Sequence, residues 1–178
     1  MKYLFIKNIN KFALVDDEDY DRLSAYAWYA NSTRTAIQTT INHSVTDKEM
    51  LLMGNVVIQR HDCTVDHKDR NYLNNQKFNL RPCTYQQNCF NKAPYKFVKS
   101  SKYKGVSKVG LGRWRAYIKI NKKQIFLGVF PTSVEAALAY NKAATKLFKE
   151  FACLNVIDQA AQQVEQIQQQ TQQKGSGQ

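Results

Sequence analysis

An acid beside a histidine, Asp66-His67, is followed twelve and twenty-one positions beyond the histidine by Asn79 and Asn88. These residue types supply the parts of a one-metal phosphodiesterase. A carboxylate holds a hard cation, an imidazole takes a proton from water, and amides orient and ligate. The flanking sequence suggests how they are presented. Cys63 to Val65 reads as a strand delivering Asp66 and His67, Asn71 to Asn75 as a turn, and Gln76 to Leu80 as the start of a short helix.

Upstream, the stretch 2–15 alternates loosely and predicts two short strands. Asp16, Asp17, Glu18 and Asp19 stand where a helix would begin, favouring the positive end of its dipole. Tyr20, Leu23, Tyr26 and Ala27 follow at helical spacing. Residues 30–60 read as a strand or two and a short helix. Downstream, residues 92–102 read as a linker containing Pro94. Strands are then expected at 104–107, 113–120 and 124–130, with a turn at 110–112. A helix follows from Pro131-Thr132 to about Phe148, with Thr132 and Glu135 forming a capping box. Its small residues, Ala136, Ala137, Ala139, Ala143 and Ala144, let it lie close against a sheet. The Gln-rich segment 156–178 reads as a frayed tail.

Charge is distributed unevenly along the chain. The net charge of +12 sits almost wholly in residues 96–155, which hold thirteen basic and two acidic side chains, whereas residues 1–60 hold seven of each. That concentration points to a polyanion partner. The four cysteines, Cys63, Cys83, Cys89 and Cys153, form no C-x-x-C pair, so no zinc is expected and reduced thiols are. The first residues lack an apolar core and a cleavage site, and no stretch nears the ~18 apolar residues of a membrane span. The expectation is therefore a soluble intracellular protein, in phage-infected or bacterial cytoplasm or an organelle. It would be a monomer, the tail being the one segment that could dimerise it.

The string Val65-Asp66-His67-Lys68-Asp69-Arg70-Asn71, with Asn74-Asn75, Asn79-Leu80-Arg81-Pro82-Cys83-Thr84, Gln87-Asn88 and Asn91, resembles the HNH homing-endonuclease family of phage and intron-encoded type. Residues 13–19 and Trp28 are similar to the upstream part of such proteins. The resemblance implies a ββα-metal (His-Me finger) fold binding one Mg²⁺ or Mn²⁺. Asp66 and Asn88 would be the metal ligands and His67 the general base. Asn79 would hold the hairpin turn and help orient the imidazole. Arg81 would contact phosphate or pair with an acid such as Asp69. One departure is the missing His-Arg upstream of Leu51-Leu52-Met53, which bears on an upstream DNA contact.

A second resemblance covers residues 100–155. Tyr103-Lys104-Gly105-Val106, Gly112-Arg113-Trp114-Arg115-Ala116, Leu127-Gly128-Val129-Phe130, Glu135-Ala136-Ala137 and Asn155 resemble the Apetala-two/ethylene-response-factor DNA-binding domain. Alternation puts Trp114, Ala116, Ile118 and Ile120 on one face of the strand and Arg115, Tyr117 and Lys119 on the other. Ile125, Leu127 and Val129 are expected to join the apolar face, and Gln124 and Phe126 the cationic one. The expected DNA contacts are Lys104, Ser107, Arg113, Arg115, Tyr117, Lys119, Gln124 and Phe126, with Arg115 reading a base edge.

The fold class expected is therefore α+β. A nuclease domain at 1–95, with core motif 60–92, is followed by a linker at 96–102, a three-stranded antiparallel sheet with a helix at 103–155, and the tail. The function expected is site-preferring, metal-dependent hydrolysis of double-stranded DNA. The rival reading is a DNA-binding regulator whose nuclease part has decayed.

Overall fold

Alternation decides the first elements. In β1 (Lys2–Ile6) Leu4 and Ile6 are buried while Tyr3 and Phe5 face out. It pairs antiparallel with β2 (Lys11–Val15), whose Ala13 and Val15 complete the inner face. The computed structural model describes residues 1–44, 46–94, 100–110 and 112–157. These fall into two units, Met1–Asn91 and Lys92–Gln178. The architecture is mixed, with small antiparallel sheets and short helices. No helix among the described residues is long and apolar enough to cross a membrane. The expected linker falls largely on residues 95–99 and the tail on 158–178, outside the described residues.

In the first unit α1 (Asp17–Ser24) follows β2 directly and buries Leu23. The indole Nε1 of Trp28 donates to the Leu23 carbonyl at 2.7 Å and closes the helix end. A sheet of β3 (Tyr29–Ala30), β4 (Ile37–Asn42) and β5 (Lys48–Leu52) comes next, in that order, and runs straight into α2 (Met53–Ile58). Ile6, Val15, Leu23, Met53 and Val57 are shut from water and form the centre of this core.

The acids at the start of α1 do more than complement a dipole. Asp16 makes no side-chain cap. Its carboxylate instead accepts from Gln76 Nε2 at 3.0 Å and from the Lys77 backbone N–H at 2.7 Å, some sixty residues away. The Lys77 ammonium pairs with both Glu18 and Asp19. Asp16→Ala should therefore lower the stability of the chain by about 1–2 kcal/mol, two hydrogen bonds to a charged acceptor being lost. The midpoint of a urea unfolding curve measures it.

Residues 64–67 and 80–83 form an antiparallel hairpin, β6 (Thr64–His67) with β7 (Leu80–Cys83), in the register Asp66 opposite Arg81 and His67 opposite Leu80. The short helix expected from Gln76 to Leu80 is a single 3-10 turn, Lys77–Asn79, because Leu80 onward is drawn into pairing with β6. The helix α3 (Tyr85–Phe90) follows, begun by a full capping box between Thr84 and Gln87.

The second unit is a sheet in the order β10-β9-β8, made by β8 (Val106–Val109), β9 (Arg113–Ile120) and β10 (Lys123–Phe130), with α4 (Ser133–Phe148) packed on it. Thr132 accepts from the Glu135 N–H and caps α4, and Ala136, Ala137 and Ala144 are fully buried along its length. These small side chains are what allow the close approach. Gly105 marks its tightest point. Its φ is +73°, and a Cβ there would stand 2.2 Å from Tyr140 Cδ2 and 2.5 Å from the Tyr117 carbonyl oxygen. Gly105→Ala should destabilise this unit by roughly 2–4 kcal/mol, since it adds backbone strain to an overpacked contact. Thermal unfolding of the variant checks this.

The expected alternation fails in the second half of β10. A bulge between Phe126 and Gly128 slips the register by one residue. Val129 then lies opposite Arg115 and is partly exposed, whereas Phe130 lies opposite Trp114 and packs into the core. Val129 thus belongs to the cationic face. Ile125 stays opposite Ile118 but is 41% exposed near the end of the strand.

Candidate active site and nucleic-acid face

The hairpin turn that follows His67 is built by side chains. The His67 carbonyl accepts from the Arg70 N–H, with Arg70 at φ +64°. Asn79, 2% exposed, lies under this turn. Its Oδ1 accepts from the Asp69 N–H at 3.0 Å, while its Nδ2 donates to Asp69 Oδ1 at 2.9 Å and to the Asn74 carbonyl at 2.8 Å. Asp69 accepts also from the Asn71 N–H and the Asn74 amide. Partial burial, the largest single influence on this carboxyl, pushes it up, but these hydrogen bonds together bring it below the usual range. Asp69 is thus committed to the turn and is not the partner of Arg81.

Arg81 instead pairs with the residue directly across the hairpin. Its Nε and Nη2 both donate to Asp66 Oδ2, at 2.8 and 2.6 Å. The cross-strand register enforces this choice, because Arg81 and Asp66 share a face and Asp69 lies beyond the strand end. Asp66 is 3% exposed, and its second support is Asn91. The Asn91 amide donates to Asp66 Oδ1 and Oδ2 at 3.0 and 3.1 Å and to the His67 carbonyl at 2.8 Å. Asn91 follows α3 as its C-cap, and Asn88 lies three residues earlier on the same face of that helix.

His67 is turned the other way, toward the loop at 72–76. Its Nε2 is 3.1 Å from Asn75 Oδ1. Burial holds the imidazole below the ordinary histidine range against the opposing effect of its neighbours, Asn75, Asp69 and Asp66, so it is neutral at neutral pH. Nearby, Cys83 donates to the Thr64 carbonyl and its thiol is pushed up to about 11 by burial. None of the four cysteines forms a disulfide; Cys83 and Cys153 are buried and the other two half-buried.

The donors present suit a hard divalent cation. The Asp66 carboxylate, and the amide oxygen expected of Asn88, are oxygen donors, and Mg²⁺ takes few protein ligands and keeps water or phosphate in its other positions. On Asp66 three donor contacts crowd Oδ2 while Oδ1 accepts from Asn91. Oδ1 therefore keeps a lone pair for a metal.

In the second unit, cross-strand register gathers Ser107, Arg113, Arg115, Tyr117, Lys119, Gln124 and Phe126 on one sheet face, joined by Val109 and Val129. Arg113, Arg115, Lys119, Gln124 and Phe126 are exposed, and Ser107 and Tyr117 are half-buried. Lys104 does not join them. It precedes β8, its backbone is clamped by Asn155 through bonds of 2.6 and 3.1 Å, and its Nζ donates to the Lys92 carbonyl. β8 begins at Val106 rather than Lys104, after Gly105 in the left-handed region at φ +73°.

The strand hairpin thus ends in the Asp-His pair and is followed by a helix that bears Asn88 and is C-capped by Asn91. Comparison with known proteins gives the family. The chain is 33% identical over 150 residues to an uncharacterised HNH endonuclease of Acanthamoeba polyphaga mimivirus, an alignment covering 83% of this chain and 76% of that protein. The chain belongs to the HNH endonuclease family. Shorter matches join it to plant proteins. It is 49% identical over 49 residues to APETALA2-like protein 2 of rice (Oryza sativa), and 46% identical over 59 residues to dehydration-responsive element-binding protein 2D of Arabidopsis thaliana. These matches cover 26% and 32% of this chain but only 11% and 29% of the plant proteins. No protein-family model matches the chain.

Sequence reasoning did not assign roles to Asn75 and Asn91. Both stand inside the motif, but only their contacts, to His67 and Asp66, separate them from ordinary turn residues. Thr84-x-x-Gln87 was a legible sign that a helix would carry Asn88 and lead to Asn91.

Proposed function

We propose that the protein is a site-preferring DNA endonuclease of homing type, with a ββα-metal catalytic unit and an Apetala-two-like unit that docks on duplex DNA. The observation carrying this reading is the neutral, half-buried His67 adjoining a buried carboxylate at the end of β6, which the Asn91 amide at the end of α3 grips. Asp66 and Asn88 would hold Mg²⁺ or Mn²⁺, with Asn91 and Arg81 keeping the carboxylate in place. The ion would neutralise a non-bridging phosphate oxygen and the departing 3′ oxygen. His67 takes the proton of the attacking water, and Asn79 keeps the turn rigid so that the imidazole does not drift. Arg81, held by Asp66, serves the ligand rather than the phosphate backbone.

The second unit supplies affinity. On its sheet face Arg113, Arg115 and Lys119 supply positive charge, Tyr117 and Phe126 aromatic surface, and Ser107 and Gln124 neutral hydrogen-bonding groups. Tethering such a face to the hydrolytic unit raises the local concentration of duplex around it.

Supercoiled plasmid incubated with the full chain and Mg²⁺, with and without chelator, tests the proposal. Nicked or linear product only in the absence of chelator is the expected result. Intact plasmid with retained DNA binding would instead identify a regulator that has lost its chemistry.

A further inference from the structure

His67 reaches the loop at 72–76 through one hydrogen bond, and the identity of its partner fixes more than the angle of the ring. Asn75 is 1% exposed. Its Nδ2 donates to the Tyr72 carbonyl at 3.0 Å, which leaves Oδ1 to face His67 Nε2 at 3.1 Å. Rotating the amide by half a turn would set Oδ1 against the Tyr72 carbonyl, two acceptors face to face with no proton between them. The amide therefore has one orientation. An acceptor at Nε2 requires a proton on Nε2, and in a neutral imidazole that leaves the lone pair on Nδ1. Nδ1 makes no hydrogen bond to any described residue.

We propose that Asn75 is a positioning residue that holds His67 as the Nε2–H tautomer and so makes Nδ1 its basic nitrogen. The catalytic consequence rests on the nuclease reading above; the tautomer itself does not. The surroundings are arranged to keep Asn75 still. Its backbone N–H donates to the Leu14 carbonyl at 2.8 Å, and the Leu14 N–H returns a bond to the Leu73 carbonyl at 2.7 Å. The edge of β2 thus holds the loop on both sides of Asn74, at Leu73 and at Asn75 itself. Gly54 in α2 closes the remaining side, where an added Cβ would stand 3.3 Å from Val65 Cγ1 and 3.8 Å from Asn75 Oδ1. Asp16 fixes the next two residues, Gln76 and Lys77. Three elements outside the Asp-His hairpin therefore converge on a single side-chain amide.

The test uses the full chain labelled with ¹⁵N-histidine and studied by ¹H–¹⁵N NMR without metal, near pH 8. The His67 signals are those that vanish in His67→Gln. The expected spectrum has one tautomer, a slowly exchanging proton on Nε2 and a bare Nδ1. In Asn75→Ala that proton should exchange too fast to observe, and kcat for plasmid cleavage should fall by about tenfold to a hundredfold with KM for DNA unchanged. A wild-type spectrum with the proton on Nδ1, or without a protected Nε2 proton, would overturn the assignment, as would unaltered kcat in a folded Asn75→Ala. Should Asn75→Ala fail to fold, the wild-type spectrum alone decides. A chain that cuts DNA with the proton on Nδ1 keeps the nuclease reading and loses this one. A chain with the expected tautomer that cuts nothing does the reverse.

Discussion

His67→Gln should reduce DNA cleavage by about 10²–10⁴-fold, the usual worth of a positioned general base, while duplex retention stays near that of the parent chain. Glutamine suits this test better than alanine. Removing the whole side chain would strand the buried Asn75 acceptor at a cost of about 1–3 kcal/mol and mix a folding defect with a chemical one. A glutamine amide can still donate toward Asn75 but has no basic nitrogen with which to take a proton from water. Binding is expected to survive because Arg113, Arg115 and Lys119 lie in the other unit. Plasmid nicking measured beside a mobility-shift titration separates the two quantities. If cleavage and binding fall together in a variant that unfolds like the parent, His67 is holding structure and does not serve as the base.

The second large effect concerns charge. Replacing Arg115 and Lys119 together by alanine should weaken duplex binding and lower the slope of log affinity against log salt by up to about 2, since each lost phosphate contact removes about 0.9 from it. If Arg115 also grips a base edge, a further ~1–3 kcal/mol of discrimination goes with it, and the preferred site and a scrambled duplex should converge in affinity. The two readouts separate the roles of the pair. A change in slope without convergence assigns both residues to the backbone. An unchanged slope would show that this face is not where DNA docks. Val129, which the bulge turns outward beside Arg115, offers an apolar surface suited to a thymine methyl, so preference for A·T pairs is the further quantity to read from the same titrations.

What the chain disclosed in advance follows the range of the interactions involved. The helix at 133–148 was legible because its cap, Thr132, and its row of alanines are local signals. The strand 113–120 was legible because eight residues alternate without interruption. Asp66, His67, Asn79 and Asn88 could be singled out by type and spacing. Their partners could not, because a partner across a hairpin depends on register: Arg81 faces Asp66 rather than Asp69 only once His67 is set against Leu80. The bulge before Gly128 was equally hidden, since one extra residue leaves composition unchanged yet reverses the face of everything after it. Asp16 to Asp19 satisfied a local explanation, helix polarity, and so concealed the non-local one, their grip on Gln76 and Lys77.

That grip limits how the protein can be rebuilt. The recognisable motif begins after residue 60, and protein engineers would be tempted to excise it as a portable cassette and graft it onto other DNA-binding scaffolds. Without the Leu14 edge and the Asp16 carboxylate, the transplanted segment would keep every signature letter and lose the anchorage of the loop behind its imidazole. For this architecture the smallest transferable part starts at the first strand.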